Sequence, residues 1–285
     1  MDRLLHILLG FTACVGIMPV LTAAMRLPPL RAATPQRRVS VALEGVAAPA
    51  NSRHSVSQSV MASQSRMTCK TLVPGLKLED CQYMASIGML AQGENAQSGN
   101  NRDIWIGMDG PNVLTFISGA TVPIILVLWY RAAHDDQASF MNARSPRITY
   151  SLPTRGNAIA ISMDNGVPGA WAALYNRSTS LTQYGQIDNT FGEFSTGTFA
   201  TIDVSRLVNM SGNPMTIKVS SGCVSDMEKC VYACDKGIVS CGDPGTYALL
   251  QCEGKNAVKS VDADGNPTGG CQGWSNGGHV DIVMT

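Results

Sequence analysis

Two kinds of side chain in this sequence could do chemistry: carboxylates set among aromatics, and cysteines. Hydrolysis of a glycosidic bond needs one protonated and one ionised carboxyl flanking the scissile bond. The candidate acids are Asp164, Asp188, Glu193, Asp203, Asp226 and Asp281. Glu193 stands out because Phe191 and Phe194 flank it. Apolar neighbours would hold its carboxyl above the usual range and keep it protonated. A plainer arrangement puts Glu193 on a strand facing solvent, with phenylalanine on the core side. Trp105, Trp129, Trp171 and Trp274 could stack on sugar rings or anchor a core. Trp274 sits in Gly273-Trp274-Ser275-Asn276-Gly277-Gly278, the most loop-like setting, and is expected to be exposed. Glu193, Asp203 and Trp274 are therefore the ligand-binding candidates. Glu193 is also the one candidate catalytic acid.

Other chemistries find no support. The sequence has no G-x-S-x-G, no HExxH and no phosphate-binding glycine loop. Of its four histidines, His6 and His54 fall in the N-terminal region, while His134 and His279 read as exposed or structural. Asp262-Ala263-Asp264-Gly265-Asn266-Pro267 starts like a calcium loop. It places Pro267 where the sixth position needs glycine, and it reads better as a turn. No cofactor and no metal are expected.

The cysteines speak to compartment. There are nine. Cys14 lies in the apolar N-terminal run, which leaves Cys69, Cys81, Cys223, Cys230, Cys234, Cys241, Cys252 and Cys271. An even set, crowded towards a Gly/Asp/Pro-rich C-terminal region, fits disulfides that substitute for core. Zinc ligands usually come in tighter pairs than these spacings provide. Cys69 with Cys81 is an attractive local pair. Two sequons, Asn176-Arg177-Ser178 and Asn209-Met210-Ser211, are candidate glycosylation sites.

The organisation around these residues is uneven. Leu4 to Leu21 is apolar apart from His6 and Thr12, and Leu21-Thr22-Ala23-Ala24 ends the run in small residues. This is the layout of a secretory signal peptide over 1–24. Residues 25–66 are rich in Arg, Ser and Ala without apolar periodicity, and read as a disordered basic leader or propeptide. Overall charge is zero, but residues 1–66 hold seven Arg against Asp2 and Glu44. The body, 67–285, is correspondingly acidic. That argues against nucleic acid, which needs clustered Lys and Arg. After signal cleavage no membrane association is expected, and the secreted body is expected to be monomeric.

The body must position its acids on strands. Val122 to Tyr130 suits a strand buried on both faces. Ile159, Ile161 and Met163 share one face, as do Met215, Ile217 and Val219; Ala200, Ile202 and Val204; and Val280 and Ile282. Period-two runs broken by Gly, Asn, Asp and Pro predict a mainly β protein, an antiparallel β-sandwich with a disulfide-rich C-terminal loop region. A short helix is expected within Leu76–Leu90. The capping box Ser225-Asp226-Met227-Glu228 predicts another reaching Cys234.

Several segments, in order, resemble thaumatin-like proteins. They are Gly192-Glu193-Phe194-Ser195, Ile202-Asp203-Val204-Ser205, Asn213-Pro214-Met215 and Gly222-Cys223. Val127-Leu128-Trp129 and Gly169-Ala170-Trp171-Ala172 add a likeness to secreted fungal members of allergen type. The likeness covers about 102–285. It implies a β-sandwich with an acidic cleft in which Glu193 matches the cleft glutamate. Two further cleft aspartates of the family correspond to Asn209 and Thr216 here, which moves the implied role from hydrolysis towards binding. The expectation is a secreted, non-catalytic, cell-wall-associated or effector-like glycoprotein that binds β-glucan or a host extracellular target. The alternative is a weak endo-β-1,3-glucanase.

Overall fold

The computed structural model describes residues 67–135, 138–274 and 277–285. The signal peptide and basic leader expected over 1–66 lie outside the described residues. A single helix, α1 (Leu78–Ser86), precedes fifteen strands among the described residues. In chain order these are β1 (Ile104–Ile106), β2 (Asn112–Ser118), β3 (Ile124–Tyr130), β4 (Ile148–Leu152), β5 (Ala158–Met163), β6 (Pro168–Tyr175), β7 (Phe191–Ser195) and β8 (Thr201–Ser205). The C-terminal region adds β9 (Met215–Val219), β10 (Val224–Ser225), β11 (Val231–Cys234), β12 (Tyr247–Leu250), β13 (Ala257–Val261), β14 (Pro267–Cys271) and β15 (His279–Met284).

Two sheets form the sandwich. One runs β1-β5-β2-β15-β9-β10; the other runs β12-β11-β8-β7-β6-β3-β4, with the β13–β14 hairpin joined to it through β8. The predicted alternation holds. Ile159, Ile161, Met163, Met215, Ile217, Val219, Ile202, Val204, Val280 and Ile282 all turn inward to one core between the sheets. β3 is buried on both faces because it has a core on each. Ile124, Leu126 and Leu128 enter the main core, while Ile125, Val127 and Trp129 enter a second one beneath α1.

Two details correct the sequence reading. Pairing is not antiparallel throughout: β15 runs parallel to β2, and β11 parallel to β8. Each pair joins strands far apart in sequence, and the long intervening chain supplies the crossover that parallel pairing needs. The helix expected from Ser225 is also absent, and the chain forms β10, a turn and β11. The Ser225 hydroxyl is already committed, accepting the Val204 N–H at 2.8 Å and donating to the Cys230 carbonyl at 2.7 Å. Asp226 then takes the Glu228 and Lys229 N–H groups in a local turn that competes with a helical start.

The eight cysteines form four bridges: Cys69–Cys81, Cys223–Cys271, Cys230–Cys252 and Cys234–Cys241. The first ties α1 to the segment before it, and the other three staple the C-terminal region. The sulfurs of Cys223, Cys230 and Cys271 lie within 4.8 Å of one another. Being bridged, they offer no thiolate to a metal. No helix among the described residues is long and apolar enough to cross a membrane.

Candidate functional site

β7 and β8 pair antiparallel so that Glu193 stands directly opposite Asp203. Opposite residues share a face. Inward residues of this hairpin, Phe194, Ile202 and Val204, fill the main core. The period of two therefore sends Glu193, Asp203 and Ser205 to the outer face of the sheet. Phe191 joins them there and stacks on Trp129 at 6.2 Å. Phe194 goes the other way and stacks on Trp171 at 6.1 Å. The two phenylalanines beside Glu193 thus serve two different cores.

The two carboxyls differ in burial. Glu193 is half-buried, whereas Asp203 is only 4% exposed. The cover comes from β14, which meets β8 at Cys271 and Ile202. Gly270 lies against the acid: a Cβ there would sit 3.1 Å from Asp203 Oδ2, and its φ of +137° suits glycine. Asp203 Oδ1 has no hydrogen-bond partner among the described residues.

Burial pushes the Asp203 carboxyl well above its ordinary range, and repulsion from Glu193 raises it further. Burial raises Glu193 too, opposed by a hydrogen bond from Ser205 and by the positive charge of Arg131. Two desolvated acids this close resist carrying two charges. The pair therefore holds a proton where an isolated carboxylate would have lost it.

Tyrosines continue the face. Tyr232 pairs in register with Ser205 on β8, and its hydroxyl points to the Pro267 carbonyl at 3.5 Å. Its ring centroid lies 6.3 Å from that of Tyr247. Burial raises both phenols, and the charge of Glu193 acts on each.

Trp274 requires a correction. It is 1% exposed and belongs to the main core, so it cannot stack on a ligand at the surface. Gly278 approaches so closely that a Cβ there would lie 2.2 Å from the Cβ of Trp274. Trp105, Trp129 and Trp171 are buried as well.

Asp164 is exposed, and the other candidate acids are engaged elsewhere. Asp188 accepts from the Asn209 amide at 2.9 Å. Asp226 holds the turn described above. Asp281 lies 3.2 Å from His279 Nε2. Thr115 Oγ1 meets that same nitrogen at 2.9 Å, so no relay passes through the ring. Asp262 accepts the backbone N–H groups of Asp264 and Asn266, as a turn and not a calcium loop requires. Of the two sequons, Asn176 is exposed in a turn. The Asn209 side chain is tied to Asp188 and to the Ser211 N–H. An open cleft of about 380 Å³, lined by Gly75, Lys77, Tyr150, Ser151 and Asn157 among others, does not include the acid pair.

Fold and site together define a disulfide-stapled two-sheet sandwich with paired, protonatable carboxyls on one outer face. The chain matches no protein-family model and no curated protein. Among solved structures it is similar to a thaumatin-like xylanase inhibitor, at 15% identity, covering 60% of this chain and 97% of that one, with a TM-score of 0.30. It is also similar to a protein elicitor from Magnaporthe oryzae, at 10% identity over 61% and 98% of the two chains, TM-score 0.30. At these scores the likenesses carry no weight for function.

Proposed function

We propose that the protein acts outside the cell as a non-catalytic binding protein, cell-wall-associated or effector-like, whose acid pair holds a glycan of β-glucan type. Four bridges favour an oxidising compartment. The apolar start of the sequence supports export, with 67–285 as the secreted body. The sequence likeness to thaumatin-like proteins fits the same setting.

The observation that carries the reading is the placement of Asp203 directly opposite Glu193 and almost wholly buried. A carboxyl that keeps its proton can donate to one sugar hydroxyl and accept from another. Glu193, the more exposed of the two, is the group that meets the ligand, and Asp203 supports its protonation. Hydrolysis asks for something different: a protonated acid and an ionised partner on either side of the bond. Here both acids lie side by side on one sheet face, both are biased towards the neutral form, and Asp203 is too covered to reach a sugar carbon.

The test is a pull-down on insoluble β-1,3-glucan, run beside reducing-sugar release from laminarin. Wild type is expected in the bound fraction, with no sugar released. Glu193→Ala removes donor and acceptor together and should weaken binding by about 1–2 kcal/mol, while Glu193→Gln, whose amide still donates and accepts, should bind much as wild type does. Release of sugar that Glu193→Gln abolishes would favour the weak endo-β-1,3-glucanase instead. Absence of wild type from the pellet would rule out the glycan reading.

A further inference from the structure

We propose that the open cleft beside β4 is a separate binding site, one that takes a small ring carrying a carboxylate. It does not include the acid pair and does not depend on the glycan reading. Residues 75–77 cross the edge of β4, and the 153–157 connection to β5 lines the cleft beside them. The space is about 380 Å³, within the range of about 300–1,000 Å³ typical of small-molecule sites. It is also built before a ligand arrives. Gly75, at a φ of +80°, lies so close to Tyr150 that a Cβ there would sit 1.9 Å from the ring. The Cys69–Cys81 bridge and the Asp80–Arg177 pair hold α1. On the other side the Asn157 carbonyl accepts the Ser118 N–H at 2.8 Å. A preformed site needs little ordering when a ligand binds.

The polar groups that line the cleft are unequally available. Ser151 is engaged inside the protein: its hydroxyl accepts the Lys77 N–H at 2.9 Å and donates to Asp80 Oδ2 at 2.6 Å. The Gly75 carbonyl takes the Ser151 N–H at 2.9 Å. Asn157 Oδ1 takes both the N–H and the hydroxyl of Thr154, at 2.9 and 2.8 Å. What remains is the amide N–H pair of Asn157, the Tyr150 hydroxyl and the Lys77 ammonium, none of which has a partner among the described residues. Two of these three groups only donate, and one is a cation. A carboxylate, which only accepts, is the complement of that set. Asp80 does not compete for Lys77, because it has its own counter-ion in Arg177, whose Nε meets it at 2.7 Å. Leu76, Leu152, Pro153 and the Tyr150 ring supply apolar wall, which suits a flat ring behind the carboxylate.

The experiment is an NMR titration of the bridged protein with galacturonate and benzoate, beside their neutral counterparts galactose and benzyl alcohol. The amide resonances of Lys77, Ser151 and Asn157 are expected to shift with at least one acid, at a Kd of about a millimolar, and with neither neutral compound. A response to galacturonate alone assigns the cleft to acid sugars, and a response to benzoate alone to aromatic acids. Lys77→Met keeps the apolar stem and should weaken acid binding about tenfold, while Lys77→Arg retains it. Lys77 is exposed, so the melting temperature should not change, which separates loss of contact from loss of fold. Equal shifts from the neutral compounds, no shift from any of the four, or acid affinity unchanged in Lys77→Met would overturn the inference.

Discussion

Replacing Cys223 and Cys271 together by serine is expected to cost about 4 kcal/mol of stability. The bridge spans 48 residues, and the chain-entropy relation gives that value for a loop of this size. The same relation gives about 2 kcal/mol for Cys234–Cys241, whose separation is seven. Urea midpoints of the two double variants should therefore rank with the first clearly lower. Equal midpoints would show that native contacts, and not loop closure, set the contribution. The larger loss also has a functional side. Cys271 ends β14, the strand that brings Gly270 over Asp203. Without the bridge, β14 is held to β8 by little more than its single paired position. Asp203 should then become more solvated, and its carboxyl should move back towards the ordinary range.

Trp171→Ala is expected to cost about 3–5 kcal/mol, the range for losing a buried tryptophan. Trp171 is fully buried at the centre of the main core. Its ring meets Phe116 edge-on at 5.2 Å and stacks with Phe194 at 6.1 Å. The paired position on β7 is Gly192, where a Cβ would lie 2.0 Å from the indole. The large ring and the missing side chain form one complementary fit, so alanine leaves a cavity that the strands cannot close. A domain with about 5–15 kcal/mol of total stability would lose much of it. The measurement is equilibrium unfolding with bridges intact, where the midpoint should fall at constant denaturant slope. A cost below about 1 kcal/mol would mean the core repacks. Because β6 and β7 carry both the indole and Glu193, this variant should also loosen the acid pair.

The parts of this fold that can be read from the sequence are those governed by local periodicity. The inward faces of β5, β8, β9 and β15 follow directly from alternation. So does the double burial of β3, because nine consecutive apolar residues leave no solvent face. The even cysteine count of residues 67–285 anticipates complete pairing, and the short Cys69–Cys81 spacing anticipates the first bridge. What stays hidden depends on long-range registry. Parallel pairing of β15 with β2 comes from where the last strand returns, which no local pattern encodes. The capping box at Ser225 is a genuine local signal overridden when β8 and Cys230 claim the hydroxyl.

The site is legible in the same uneven way. Its phenylalanine neighbours single out Glu193, although Phe194 faces away from it. Its pairing with Asp203 needs the β7–β8 register, and the burial of Asp203 needs β14, some seventy residues later in the chain. Trp274 is not legible in this way: glycine density around it suggests openness, whereas its side chain lies in the main core.

The central claim is that Glu193 and Asp203 form one proton-holding unit that a glycan engages. It implies a direction for stability. Both carboxyls are raised in the folded protein, so their favourable contribution is complete below the ordinary carboxylate range. It is lost as pH rises through the raised values, and Asp203→Asn should flatten that loss. The most direct measurement is a pH titration of the two side-chain carboxyl carbons by NMR, with and without a β-1,3-linked hexasaccharide. Both resonances are expected to titrate above the ordinary carboxylate range, in coupled steps, and to shift when the sugar is added. Independent titration of the two acids within the ordinary range, with no response to the sugar, would contradict the account.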